Sequence, residues 1–283
     1  MVTPELLATC WTSAGNVMPS RTGDHSPIGI ERRIAAVAAA GYRGFGINHA
    51  DLVAARDDIG LARLAELFAA HGIVHIELEV IDHWWTAEAS QARADLLDAA
   101  AALGARHIKV GAGMLGDQYD PAVLRSSFAE LASEAAAAGT RIALEACAFS
   151  SMPTLEPAAR LVADVALPAA GLLLDIWHIY RSGMDYPTMA ALVPHGHLFA
   201  VELDDGAADQ IGSGFEDTFD NRVLCGQGDF DVPAFIDAVT GLGYDGPWGV
   251  EMMSHRHRAL DPETAVAEAF DAAAKLLTAG RKA

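Results

Sequence analysis

Four short stretches in the second half of the 283-residue chain share one pattern, an apolar run that ends directly in an acid. They read IALEACA with Glu145, LLLDIWH with Asp175, FAVELDD with Glu202, and WGVEMMS with Glu251. Asp175 is followed by His178, and Glu202 by Asp204 and Asp205. A lone carboxylate is disfavoured among apolar side chains because it loses its hydration. Several drawn together repel unless they are protonated or a cation neutralises them. Oxygen ligands of this kind suit a hard divalent ion. For any one acid, a strand-end cap or an ion pair with an arginine explains the position equally well. For the four as a set, a metal site is the better reading.

The acids can act as a set only if the runs that carry them are neighbours. The chain repeats one unit seven times, an Ala-rich amphipathic helix that ends at Gly and is followed by an apolar run of strand length. The units run from ERRIAAVAAAGYRGFGINHADL to FIDAVTGLGYDGPWGVEMM. Gly after each helix suits a left-handed C-cap, where a Cβ would clash. ELLATCW adds a strand in front and 262–278 a helix behind, giving eight strands and about eight helices. Strands alternating with helices imply a parallel sheet, and runs apolar throughout, such as GLLLDI, imply burial on both faces. Eight units at a spacing of roughly 30 residues predict a single (β/α)8 TIM barrel over residues 1–283, with its active site at the C-terminal strand ends. An open doubly wound sheet would carry a glycine-rich phosphate turn after an early strand, and none is visible. The spacing breaks at 205–231, a stretch rich in Gly, Asp and Asn. A connection of that length is more often functional than idle.

Composition narrows the function. Acidic residues number 38 and basic ones 19, a formal charge of −19. A nucleic-acid surface needs a cationic face, so a nucleic-acid partner is not expected. Cys10, Cys147 and Cys225 form no CxxC pair and no disulfide framework. The opening MVTPELLATCW has no basic stretch leading into a long apolar one, and no apolar run reaches the ~18 residues of a membrane span. A reduced, cytoplasmic enzyme away from the membrane is the expectation.

The stretches LEACAF, LLDIWHIYRSG, VELDDG, RVLCGQGDFD and GYDGPWGVEMMS, in this order and spacing, resemble the xylose-isomerase-like TIM-barrel superfamily. That superfamily includes sugar isomerases and epimerases such as D-tagatose epimerase, inosose and dehydroshikimate dehydratases, and endonuclease IV. The resemblance covers nearly the whole chain. It implies a metal held by Glu145, Asp175, Glu251 and a fourth group at the place of Glu202, where relatives usually carry His and some carry Gln. Four oxygen ligands favour Mn2+ or Mg2+, with Co2+ or Zn2+ as alternatives. The implied reaction is proton abstraction next to a carbonyl of a keto-sugar or related polyol, through an enediolate, with Glu145 and Glu251 as acid and base. Return of the proton gives an isomerase or epimerase. Loss of a β-hydroxyl or of a glycosidic substituent gives a lyase, either a dehydratase or an enzyme that cleaves 3-keto-glycosides. A non-catalytic sugar-binding or partner barrel is the alternative of another class. The endonuclease branch fits poorly, because its zinc cluster uses several histidines. The resemblance also implies assembly as a homodimer or homotetramer.

Further residues carry weaker signals. The resemblance gives His178 a substrate hydroxyl and a part in proton transfer; a packing histidine is the other reading. It gives Arg222 the substrate's oxygens, against an ordinary surface ion pair. Arg181 is a candidate of the same kind. Lys109, at the end of HIKV, either points into the barrel mouth or pairs with a nearby acid. Trp11, His83, Trp84 and Trp85 could stack on a sugar ring or simply pack, and Glu79 could support the site from strand three. GQG at 226–228 lacks the frame of a phosphate loop. SHRHR at 254–258, the compact basic cluster, could meet a substrate anion or balance local acid in solvent.

Overall fold

The computed structural model of the chain describes residues 5–19, 21–111, 113 and 117–279; residues 1–4 of the opening stretch lie outside them. Eight parallel strands among these residues close into a barrel. They are β1 (Leu6–Ala8), β2 (Gly44–Asn48), β3 (His75–Ile81), β4 (His107–Val110), β5 (Ile142–Glu145), β6 (Ala170–Asp175), β7 (Leu198–Leu203) and β8 (Trp248–Val250). Each pairs with the next, and β1 pairs with β8 to close the ring. This is the (β/α)8 barrel that the repeating units predict. No described helix is long and apolar enough to cross a membrane.

Side chains alternate across a strand, so each strand divides its residues between two cores. On β6, Leu172 and Leu174 join the large apolar cluster shared with the surrounding helices. Leu173 points the other way, into a small cluster with Ala143, Phe199 and Ala200. The same parity stacks Glu145 above Ala143, Asp175 above Leu173, and Glu202 above Ala200. Barrel interiors are commonly packed with branched apolar residues. Here the layer below the acids is apolar on β5 to β7, with Ala143, Leu173, Phe199 and Ala200. Gly171 keeps room for Phe199, whose ring a Cβ at that position would strike.

Two details depart from the sequence reading. Gly171, read as the residue that ends the preceding helix, lies within β6, and Ala166 takes the left-handed cap instead, at φ +50. Gly41 and Gly104 do take the left-handed cap, at φ +109 and +65, whereas the helix Tyr186–Leu192 ends at an extended Val193. The chain also carries more helices than eight, because short ones follow several strand ends: Cys10–Ser13, Ile176–Arg181, Gly214–Asp220 and His255–Arg258. Trp11 therefore sits on a helical turn past β1 rather than at the end of the strand. The supposedly irregular 205–231 contains Gly214–Asp220, started by a capping box between Ser213 and Glu216.

Candidate active site

The four strand-end acids come together. Oxygens of Glu145, Asp175, Glu202 and Glu251 lie within 4.8 Å of one another, and all four residues are buried. Local structure fixes each one. Asp175 caps the helix Ile176–Arg181, its Oδ1 accepting the Trp177 N–H at 2.9 Å, which leaves Oδ2 for the barrel mouth. Glu202 passes Gly249, where a Cβ would come within 2.9 Å of its Cγ. Glu251 is pinned from both sides. The Thr12 hydroxyl donates to the Val250 carbonyl and accepts the Met252 N–H, and the Glu251 N–H donates to the Leu203 carbonyl at 3.1 Å.

Two buried cations occupy the cluster. Lys109 Nζ donates to both oxygens of Glu202, at 3.0 and 2.9 Å, and to Glu251 Oε1 at 3.0 Å, and lies 3.3 Å from Glu145 Oε2. Burial alone would discharge the amine, but the charges of Glu145, Glu202 and Glu251 outweigh it and hold its pKa well above the usual lysine range. Arg222 donates to Asp175 Oδ2 at 3.0 Å and to Asp204, and its second nitrogen lies 3.0 Å from Glu251 Oε2. It is aimed by the Thr218 carbonyl and packs over the Trp177 ring, with its guanidinium carbon 5.1 Å from the centroid. The helix Gly214–Asp220 supplies Thr218, so the long 205–231 connection serves to place this arginine.

A third layer lies beside β3 and β4. Glu77 and Glu79 alternate on β3 and so share a face, as His107 and Lys109 do on β4; Glu77 pairs in register with His107. His107 Nε2 and Glu77 Oε2 are 2.5 Å apart, and Glu79 Oε1 accepts the Cys10 N–H at 2.7 Å. Burial pushes Glu77 up to about 7, with Lys109 pulling the other way. Burial and then the charge of Glu77 raise Glu79 to about 8. Burial, then Arg106 and Arg141, lower His107 to about 3.

Seven buried acids (Glu77, Glu79, Glu145, Asp175, Glu202, Asp204 and Glu251) thus share two strong cations, Lys109 and Arg222. Burial raises Glu145 to about 8, Lys109 opposing it, and raises Glu202 and Asp204 well above the carboxylate range. Glu145 Oε1 is buried with no hydrogen-bond partner. The surplus of negative charge, the unused Glu145 oxygen and the all-oxygen donor set fit a divalent cation. A cluster of acids that can accept a metal is what the residues present.

His178 borders the cluster, with Nε2 3.6 Å from Asp175 Oδ2 and 3.9 Å from Glu145 Oε1. Burial, then the charge of Arg222, keep its pKa well below the ordinary histidine value, so the ring is neutral. Trp11, Lys109, Glu145, His178, Arg222 and Glu251 all line one cavity of about 460 Å³ at this end of the barrel. The structure places other sequence candidates elsewhere. Arg181 is not in the cavity lining; it donates to Asp217 at 2.6 Å and lies over the Trp177 ring. Trp84 is buried, donating to the Gly111 carbonyl, and His83 sits against Asp117. In the 254–258 stretch, His257 bonds the Thr12 carbonyl and Arg258 bonds Asp220. Asp205 accepts the N–H groups of Gly206, Gly226, Gly228 and Phe230, so it folds the GQG loop rather than facing the cavity. Sequence reasoning missed Glu77 and His107. The signal was the alternation H-I-E-L-E and H-I-K, which puts charge on one strand face.

A family model described as a xylose isomerase-like TIM barrel matches residues 34–276. Among curated proteins, the 3-dehydroshikimate dehydratase of Pseudomonas aeruginosa is 34% identical over 154 residues, which is 53% of this chain. The chain spans only 23% of that relative's length. Among solved structures, IOLI protein with a bound zinc atom aligns with a TM-score of 0.80 at 20% identity, over 97% of this chain and 98% of the other. L-ribulose 3-epimerase aligns with a TM-score of 0.73 at 17% identity, over 98% and 96%. At such identities these two structures speak for the fold.

Proposed function

The chain belongs to the xylose isomerase-like TIM-barrel family, and from that premise we propose a divalent-metal-dependent isomerase or epimerase of a keto-sugar or related polyol. The observation that carries the proposal is the placing of Glu145 and Glu251. They come from strands three apart in the ring, and one ammonium, Lys109 Nζ, touches both, at 3.3 and 3.0 Å. Two carboxylates converging on one cavity suit removal of a proton from one face of a substrate and its return from the other.

Glu145, Asp175, Glu202 and Glu251 hold the ion in this reading, Mn2+ or Mg2+ ahead of Co2+ or Zn2+. When bound, the ion supplies Lewis-acid polarisation of the substrate carbonyl. Glu145 takes the proton from the carbon next to the carbonyl, Glu251, protonated from solvent before the step, gives one back, and exchange with water resets both. Neutral His178 accepts a substrate hydroxyl as a hydrogen-bond donor and moves its proton. Arg222 and Lys109 orient substrate oxygens, and Trp11, with Phe149 and Phe219 beside it in the cavity lining, keeps water from the reacting carbons. Assembly as a homodimer or homotetramer belongs to the same proposal.

Incubation of the metal-loaded protein with a panel of ketoses in D2O tests it. Deuterium next to the carbonyl of recovered sugar is the expected result; none in any ketose overturns it.

The match to 3-dehydroshikimate dehydratase favours a second reading, a lyase on the same site. There Glu145 still takes the proton, and a β-substituent leaves instead of the proton returning. A new enone or aromatic absorbance from a keto-polyol supports it, and its absence with isotope exchange intact rejects it.

A further inference from the structure

We propose that the substrate carries a flat apolar group at the end that points away from the carboxylates, and no phosphate there. The inference rests on the reading of the site given above.

An aromatic ladder starts at the catalytic end of the cavity and leads away from it. Phe149 packs against His178 with ring centroids 5.6 Å apart and planes at 67°. Phe219 follows at 5.7 Å from Phe149, and Phe215 at 4.5 Å from Phe219. Met253 and Trp11 belong to the same apolar cluster. Phe149, Phe215 and Trp11 remain partly open to solvent while lining the cavity. Val80, on the cavity lining, is 40% exposed, one of four large apolar side chains so exposed among the described residues. Scattered exposed apolar groups need no explanation, but several gathered in one cavity mark a ligand surface.

The charges speak against an anion at that end. Among the described residues, both strong cations in the cavity lining, Lys109 and Arg222, lie at the carboxylate end, and each touches three carboxylates. The other charged groups lining the cavity include Asp24 and Asp82, which repel a phosphate. His49 is taken up by Asp95 at 2.9 Å. Arg21 stands beside the outer rung of the ladder. Its guanidinium carbon is 5.4 Å from the Phe215 centroid, it pairs with Asp220 at 2.7 Å, and it is not in the cavity lining. A planar apolar group can stack on the ladder with no charge to satisfy.

Calorimetric titration of Mn2+-loaded protein compares three probes: phenyl 3-keto-β-D-glucopyranoside, its methyl counterpart, and D-fructose 6-phosphate. The phenyl compound is expected to bind at least tenfold more tightly than the other two, with the gap to the methyl compound closing in Phe215→Ala. Equal binding of phenyl and methyl compounds, or tighter binding of the sugar phosphate, overturns the inference. If deuterium exchange on free ketoses persists in that case, the reading of the site stands and only the substrate class falls. Silence with every probe and no exchange removes both.

Discussion

Lys109 holds both carboxylate oxygens of Glu202, at 3.0 and 2.9 Å, and both residues are buried. A neutral imidazole at this position could not be gripped in this way, because it brings no negative charge to an ammonium. Lys109 and Glu202 therefore form one buried cation–anion pair, and each depends on the other for its charge.

Replacing Lys109 with Met leaves Glu202 and Glu251 buried with less compensation. Breaking a buried pair from one side costs about 3–5 kcal/mol, so thermal denaturation of the metal-free variant should show a lowered Tm. Added Mn2+ should restore more stability to Lys109→Met than to the parent, because the ion takes over the same carboxylates. An equal metal-induced rise in both proteins would mean that lysine and metal do not share them.

Glu145→Gln and Glu251→Gln remove the proposed acid and base while keeping nearly the same shape. Loss of a general acid or base lowers turnover by about 10²–10⁴. Steady-state rates with the ketose that exchanges best measure this, and a fall of less than about tenfold in either variant would remove that residue from the chemistry.

The two arginines of the sequence reading separate cleanly. Arg222→Lys cannot reproduce a planar fork that spans Asp175, Asp204 and Glu251, and the resulting misplacement should lower kcat/KM by about 10²-fold. Arg181→Ala acts on a pair with Asp217 outside the cavity lining and should leave kcat/KM nearly unchanged. A larger loss for Arg181→Ala than for Arg222→Lys would reverse their assignment.

Stability of the metal-free protein should depend on pH through the β3 and β4 layer. Glu77 and Glu79 titrate at about 7 and 8 when folded, against 4.5 ordinarily. The folded state thus binds more protons than the unfolded chain between these values, and stability falls as pH rises. His107, held at about 3 against 6.5, binds fewer protons when folded, so it adds stability as pH rises through that range. The two effects oppose each other below pH 6.5. Above it the raised carboxyls act alone, Glu77 and Glu79 together with Glu145, Glu202 and Asp204, and Tm should fall from pH 6.5 to 8. Glu79→Gln should flatten that fall in melting curves; an unchanged slope would show that Glu79 does not carry a proton there.

The barrel was legible because its units repeat, with long helices and strands apolar on both faces leaving few alternatives. The four acids were legible because each interrupts an apolar run at its end. What surrounds them was harder to see. The helix Gly214–Asp220 is too short for periodicity, and only Ser213 and Glu216, spaced as a capping box, announce it. Arg222 was found as a residue but not as a buried bridge, because the partners that bury it come from β6, β7 and β8. Asp204 and Asp205 look alike in sequence, yet adjacent side chains diverge, one to Arg222 and the other to the GQG loop.

The central claim is that Glu145, Asp175, Glu202 and Glu251 bind one divalent ion. Anomalous diffraction at the manganese edge from crystals grown with Mn2+ tests it most directly. The account predicts one peak bonded to an oxygen of each of the four, with Lys109 drawn off Glu202. A cluster without a peak, or an ion held by the other three while Glu202 stays on Lys109, would contradict it.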